Sequence, residues 1–146
     1  MTETSGLTYD ERKQEDMKKI KETFAELGKE DIEIKSFYRL GRFDAEKHSQ
    51  GKVRPVKVVL NSKEDRDILM CRKSNLRQSG DEGVRQLHIA YDLTEEERRQ
   101  LRLKIDEANA KNREDQDFFH RVQGPPWALW IKKERRRPVL NRSSNL

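Results

Sequence analysis

The chain has 146 residues, 32% of them apolar and 40% charged, so it suits one domain with a tail, a thin core and a small margin of stability. The formal net charge of +5 belongs wholly to the stretch from Lys132 to Arg142, where six basic residues meet one acid, Glu134; everything before Lys132 balances, with 26 basic and 26 acidic residues. A single cysteine, Cys71, excludes an internal disulfide framework or a cysteine zinc site, and no run approaches the roughly 20 apolar residues of a membrane span.

The opening MTETSGLTYDERK lacks the apolar region of a signal peptide. An intracellular protein is expected, cytoplasmic or nuclear, with residues 1–7 disordered. Thr8 and Glu11 have the spacing of a capping box. Met17, Ile20, Phe24 and Leu27 follow at helical spacing, with Gly28 as a left-handed stop. The period then changes to two. Ile32, Ile34, Tyr38 and Leu40 are read as one face of a half-buried strand, and Glu33, Lys35, Phe37 and Arg39 as the other. A polar loop runs from Gly41 to Arg54. Pro55 opens a second strand with Val56, Val58 and Leu60 on one face and Lys57 and Val59 on the other. Ser62 and Asp65 start a second helix that reaches about Leu76, with Ile68 and Leu69 inward and Cys71 as a small core residue. After the Ser79–Gly83 turn, Leu87, Ile89 and Tyr91 alternate with Gln86, His88 and Ala90 as a third strand. Thr94 and Glu97 form a second capping box, and Leu101, Ile105 and Ala108 line the helix it starts. The helical pattern fails near Asn112–Gln116. Trp127–Lys133 is the last candidate strand.

This order predicts an α+β chain with helices on one side of a sheet, a split βαβ arrangement of the ferredoxin-like, RNA-recognition-motif-like kind. The motif-like domain covers 8–92, a helix-plus-strand extension covers 93–137, and 138–146 is a disordered tail. The usual first strand is lacking: only seven residues precede Thr8.

Four runs occur in a recognisable series: Tyr38-Arg39-Leu40-Gly41-Arg42, Arg54-Pro55-Val56-Lys57-Val58, Ile68-Leu69-Met70-Cys71-Arg72-Lys73, and Ile89-Ala90-Tyr91-Asp92-Leu93-Thr94. The series resembles the nucleic-acid-binding first-open-reading-frame proteins of LINE-type retrotransposons and their domesticated relatives. The stretch Pro126–Ile131 is loosely similar to the strand of that family's small C-terminal domain. The resemblance spans Thr8 to Ile131. It implies an RNA-recognition-motif-like domain with a C-terminal extension, binding and chaperoning RNA or other single strands. The sequence departs from the pattern in lacking the first strand and any coiled coil upstream. No aromatic stands on Val56–Leu60, where ordinary RNA-recognition motifs carry stacking residues.

If the helices cover the Ile34/Val58/Ile89 face, the opposite face presents Lys35, Phe37, Arg39, Lys57 and His88, one aromatic for stacking among cations for phosphates. Solvation of an open sheet face explains the same pattern. In the loop, Arg42, Lys47, Lys52 and Arg54 are candidate phosphate contacts, with Asp44 and Glu46 partly cancelling them. Lys132, Lys133, Arg135, Arg136 and Arg137 form the strongest local field, read as phosphate contacts or a nuclear import signal. Trp127 is read as closing the core, and Trp130, on the other strand face, as the ligand candidate.

His48, His88 and His120 show no metal spacing, and no nucleophile-elbow or phosphate-loop glycine pattern is present. Chance explains the Glu33-Ile34-Lys35 triplet better than a nuclease site does. The sequence therefore predicts a non-enzymatic binder of single-stranded RNA or DNA with low sequence specificity, needing no cofactor, metal, small-molecule substrate or membrane. The alternative is a protein-interaction module whose open sheet edge recruits a partner strand or a second copy, or a retroelement-derived fragment without activity.

Overall fold

A computed structural model describes residues 7–137. Among them the chain is α+β, with five α-helices and two antiparallel two-stranded sheets. It divides between Ala90 and Tyr91 into two compact units.

The first unit begins with α1 (Tyr9–Glu26). Its capping box forms as the sequence predicts: the Thr8 amide donates to the Glu11 carboxylate at 2.8 Å and the Glu11 amide to the Thr8 hydroxyl at 3.3 Å. Gly28 takes φ +70°, the left-handed turn that ends the helix. Arg72 closes this end, donating to the carbonyls of Leu27 and Gly28 at 3.1 and 3.0 Å. The helix α3 (Lys63–Arg72) is capped by the Ser62 hydroxyl and tightens into a 3₁₀ turn over Lys73–Gln78. The core joins these elements: Ile20, Phe24, Leu27, Ile32, Leu69 and Leu76 are buried together. Cys71 is exposed, not the core residue expected, because helical spacing from Leu69 turns it to solvent.

β1 (Ile34–Arg39) pairs antiparallel with β2 (Val56–Leu60). The ladder pairs Ile34 with Leu60 but Ser36 with Val59, so a bulge at Lys35 inserts one residue. An extra residue reverses the alternation beyond it. Ile34, Phe37 and Arg39 therefore point the same way, towards the core, and Tyr38 and Leu40 turn outward. This corrects the strict period of two read from the sequence.

The loop between the strands holds a short helix, α2 (Ala45–Ser49), capped by the Asp44 carboxylate. After α4 (Glu82–Arg85), Leu87 and Ile89 pack against the core as the sequence predicts. The expected third strand does not form: residues 86–91 are assigned to neither sheet. The alternating pattern directs these side chains inward, but with no neighbouring strand for their amides and carbonyls there is no ladder.

The second unit contains α5 (Glu95–Glu114), started by a Thr94/Glu97 capping box, and a hairpin of β3 (Phe118–Gln123) and β4 (Trp130–Arg135). The sequence anticipates no strand at Phe118–Gln123. Its last strand, expected over Trp127–Lys133, begins three residues later and ends at Arg135: Pro125, Pro126 and Trp127 belong to the connection, where proline can donate no ladder hydrogen bond. Leu101 and Val122 are half-buried around Ala108, which is buried. The expected tails fall outside the described residues except for Leu7.

Candidate nucleic-acid interface

The cations of the first unit separate into internal ties and free ends. Arg39 is an internal tie. Its Nη2 and Nε donate to the two carboxylate oxygens of Asp16 at 2.6 and 2.9 Å, and its Nη1 to the Arg54 carbonyl at 3.0 Å. The Arg39 and Asp16 side chains are 8% and 11% exposed, so the fork joins β1 to α1 inside the protein. Phe37 is likewise half-buried on the helix side, with the Lys13 ammonium 6.0 Å above its ring. The bulge thus corrects the open face expected to display Phe37 and Arg39.

That open face instead carries Tyr38, half-exposed, with the Lys57 ammonium 6.0 Å from its ring. The two residues are cross-strand partners. The sequence placed Tyr38 inward, and only the bulge reveals it. Lys35 is exposed at the bulge, and His88 is exposed on the extended segment, where no strand forms.

In the β1–β2 loop, Arg54 donates to the Gly41 carbonyl at 2.9 Å and lies 5.6 Å over the Phe43 ring, bracing the loop from within. Arg42 and Lys52 are exposed. Neither has an ion pair or a side-chain hydrogen bond among the described residues, so both remain open to an external anion.

The basic run of the second unit divides in the same way. Its register places Phe119, Arg121 and Gln123 on one hairpin face with Glu134, Lys132 and Trp130 opposite them, and His120, Val122, Ile131 and Lys133 on the other. On the first face Glu134 sits between two cations, 2.6 Å from Lys132 and 3.0 Å from Arg121. The Lys132 hydrogen bond is the chief reason its carboxyl lies below the ordinary glutamate range. On the second face the Lys133 ammonium lies 4.1 Å over Phe118 and 3.4 Å from Asp115. Burial opposes ionisation of Asp115, but the Phe118 amide and Lys133 outweigh it and hold its pKa down.

Arg136 is a clamp. Its Nε donates to the Phe118 carbonyl at 3.1 Å and its Nη2 to the carbonyls of Asn112 and Asp115 at 3.1 and 3.3 Å. The Asn112 and Asp115 carbonyls are orphan acceptors at the end of α5. Arg135 and Arg137 are exposed with no side-chain partner among the described residues.

Two residues that the sequence did not single out complete the unit. Asn112 imitates a strand: its Oδ1 accepts from the His120 amide at 2.6 Å and its Nδ2 donates to the His120 carbonyl at 2.7 Å. Gly124, at φ +101°, makes the hairpin connection close. A Cβ there would collide with the Ala128 carbonyl and come within 2.6 Å of two atoms of the Trp130 six-membered ring. The Trp130 ring therefore lies close against a glycine while 51% of its surface stays open. Trp127, expected in the core, is 57% exposed and meets Tyr91 edge-on.

No group of three or more His, Cys, Asp or Glu side chains able to hold a metal occurs among the described residues, and no described helix is long and apolar enough to cross a membrane. No family model, curated protein or solved structure matches this chain.

Proposed function

We propose that this protein is a non-catalytic binder of single-stranded nucleic acid, RNA in the first place, held through phosphate charge with low sequence specificity. The observation that carries this reading is that four of the basic residues singled out in the sequence are exposed and have no side-chain partner among the described residues: Arg42 and Lys52 in one loop, Arg135 and Arg137 at the end of β4. Arg39, Arg54 and Arg136 serve the fold instead. The resemblance to the retrotransposon proteins supports the same reading, as does helix–strand–strand–helix order in the first unit, the middle portion of an RNA-recognition-motif-like domain without its first and last strands.

Each phosphate neutralised on a single strand contributes about 0.7 to the slope of log affinity against log salt. Binding of a short single-stranded RNA to the full chain should therefore weaken steeply with salt. The Arg42→Ala/Lys52→Ala double variant should bind more weakly and lower the slope by about 1.4. An unchanged slope would remove the loop from the interface, and no binding at low salt would end the proposal.

One observation favours a second reading, strand addition by a protein partner. Among the described residues the first sheet has two strands, while Leu87 and Ile89 lie on the same core without a ladder. Unpaired edges of this kind recruit strands. Concentration-dependent mass in light scattering would support it.

A further inference from the structure

We infer that the open face of the β3–β4 hairpin is a stacking platform for single-stranded RNA, with Trp130 as its principal base-binding surface. The inference rests on the nucleic-acid reading above and gives it a site in the second unit.

Trp130 has the two properties a stacking surface needs, accessibility and fixed orientation. Half of its surface is open. Its six-membered ring is seated against Gly124, at a contact so close that no other residue type fits beneath it. An indole fixed in this way loses little side-chain freedom when a base covers it. A core tryptophan would be buried, and Trp130 is not.

Its surroundings match the rest of a single strand. Phe119 lies on the same face and is 46% exposed. The register sets it four residues along the ladder from Trp130, roughly 13 Å away at strand spacing. Between them stand Arg121 and Lys132, cross-strand partners that share Glu134. The Arg136 guanidinium lies 6.0 Å over Phe119 at the far end. Of the six basic residues from Phe118 to Arg137, Lys133 and Arg135 stand on the opposite face, so the cations of the strip itself are Arg121 and Lys132, with one acid, Glu134. Two aromatic surfaces flanking a cationic strip complement unstacked bases joined by phosphates. A duplex keeps its bases stacked on each other and offers this face phosphates alone.

The test is fluorescence anisotropy of a labelled oligoadenylate of about 12 nucleotides, and of an RNA duplex of equal length, titrated with the full chain at low salt. Trp130→Ala should weaken single-strand binding about 5- to 150-fold, the worth of one stacked base. Trp130→Tyr should restore most of it, and duplex binding should not change. Because removing the ring could disturb the Gly124 turn, a second measurement uses Trp127→Phe, in which Trp130 is the only indole. Its emission should be quenched as the oligoadenylate saturates. Single-strand binding that persists undiminished in Trp130→Ala, an equal loss on duplex, or unquenched Trp130 emission would each overturn the platform and leave charge-driven binding standing. Absence of binding to both RNAs would overturn the nucleic-acid reading and the platform together.

Discussion

Arg39 shows how little a basic residue's sequence context says about its role. It lies in the Tyr38–Arg42 run that carries the family resemblance, yet its fork is closed on Asp16 and nearly out of contact with water. Removing one partner of a buried pair leaves the other charge without compensation. Arg39→Met should therefore lower unfolding stability by about 3–5 kcal/mol in urea titrations. The Asp16→Leu/Arg39→Met double variant should recover most of that loss, because it leaves no buried charge behind. If Arg39→Met proves as stable as the parent while losing RNA affinity, Arg39 belongs to the interface after all. Nothing in the sequence separates Arg39 from Arg42. The distinction is made by a carboxylate 23 positions earlier, and composition does not carry partnerships at that range. Arg136 repeats the lesson, since its three acceptors are main-chain carbonyls that no side-chain pattern announces.

Elements were legible where their signals are local. Both capping boxes and the Gly28 stop can be read from residues within a turn of each other, and both long helices begin where those residues predict. Strand faces were legible only up to the bulge. One inserted residue exchanged Phe37 for Tyr38 on the open face, and insertion of a single residue leaves no mark in a chain of alternating charge. Phe118–Gln123 escaped notice for a different reason. At His120 its outer edge is met by the Asn112 side chain rather than by a third strand, a partner that no strand pattern in the sequence announces. The hairpin that results depends on Gly124. Gly124→Ala would place a methyl group at φ +101° against the Ala128 carbonyl and the Trp130 ring. It should destabilise the hairpin by about 1–3 kcal/mol from backbone strain alone and displace the indole, visible as a red-shifted tryptophan emission. An unshifted spectrum and an unchanged urea midpoint would mean that the turn adapts.

At the scale of the whole molecule, charge acts on stability as well as in the proposed binding. The carboxyls of Glu11, Glu64, Glu96, Glu107, Asp115 and Glu134 all lie below their ordinary range. A carboxyl lowered on folding adds stability that is fully present above its unfolded value and is lost as the pH falls through the folded one. The urea midpoint should therefore be flat from neutral pH down to about pH 5 and fall below the ordinary glutamate value of 4.5. All six groups are solvent-accessible, so each contributes little and salt should soften the fall. A midpoint that holds steady to pH 3 would mean that these hydrogen bonds carry no net stability. Among the described residues the buried apolar set is small, with Leu27 and Leu76 its largest fully buried side chains, which leaves such modest terms unusual weight.

The Arg136 clamp also decides where the chain can be shortened. The obvious way to remove the basic end is to stop before Lys132, but that cut deletes most of β4 and unfastens the last turn of α5 at the same stroke. Lost RNA affinity in such a piece would report a damaged scaffold as readily as a missing contact. A cut after Arg137 keeps the clamp and discards only one cation, Arg142. The two truncations, six residues apart, put different questions to the molecule, and only the shorter deletion asks about charge.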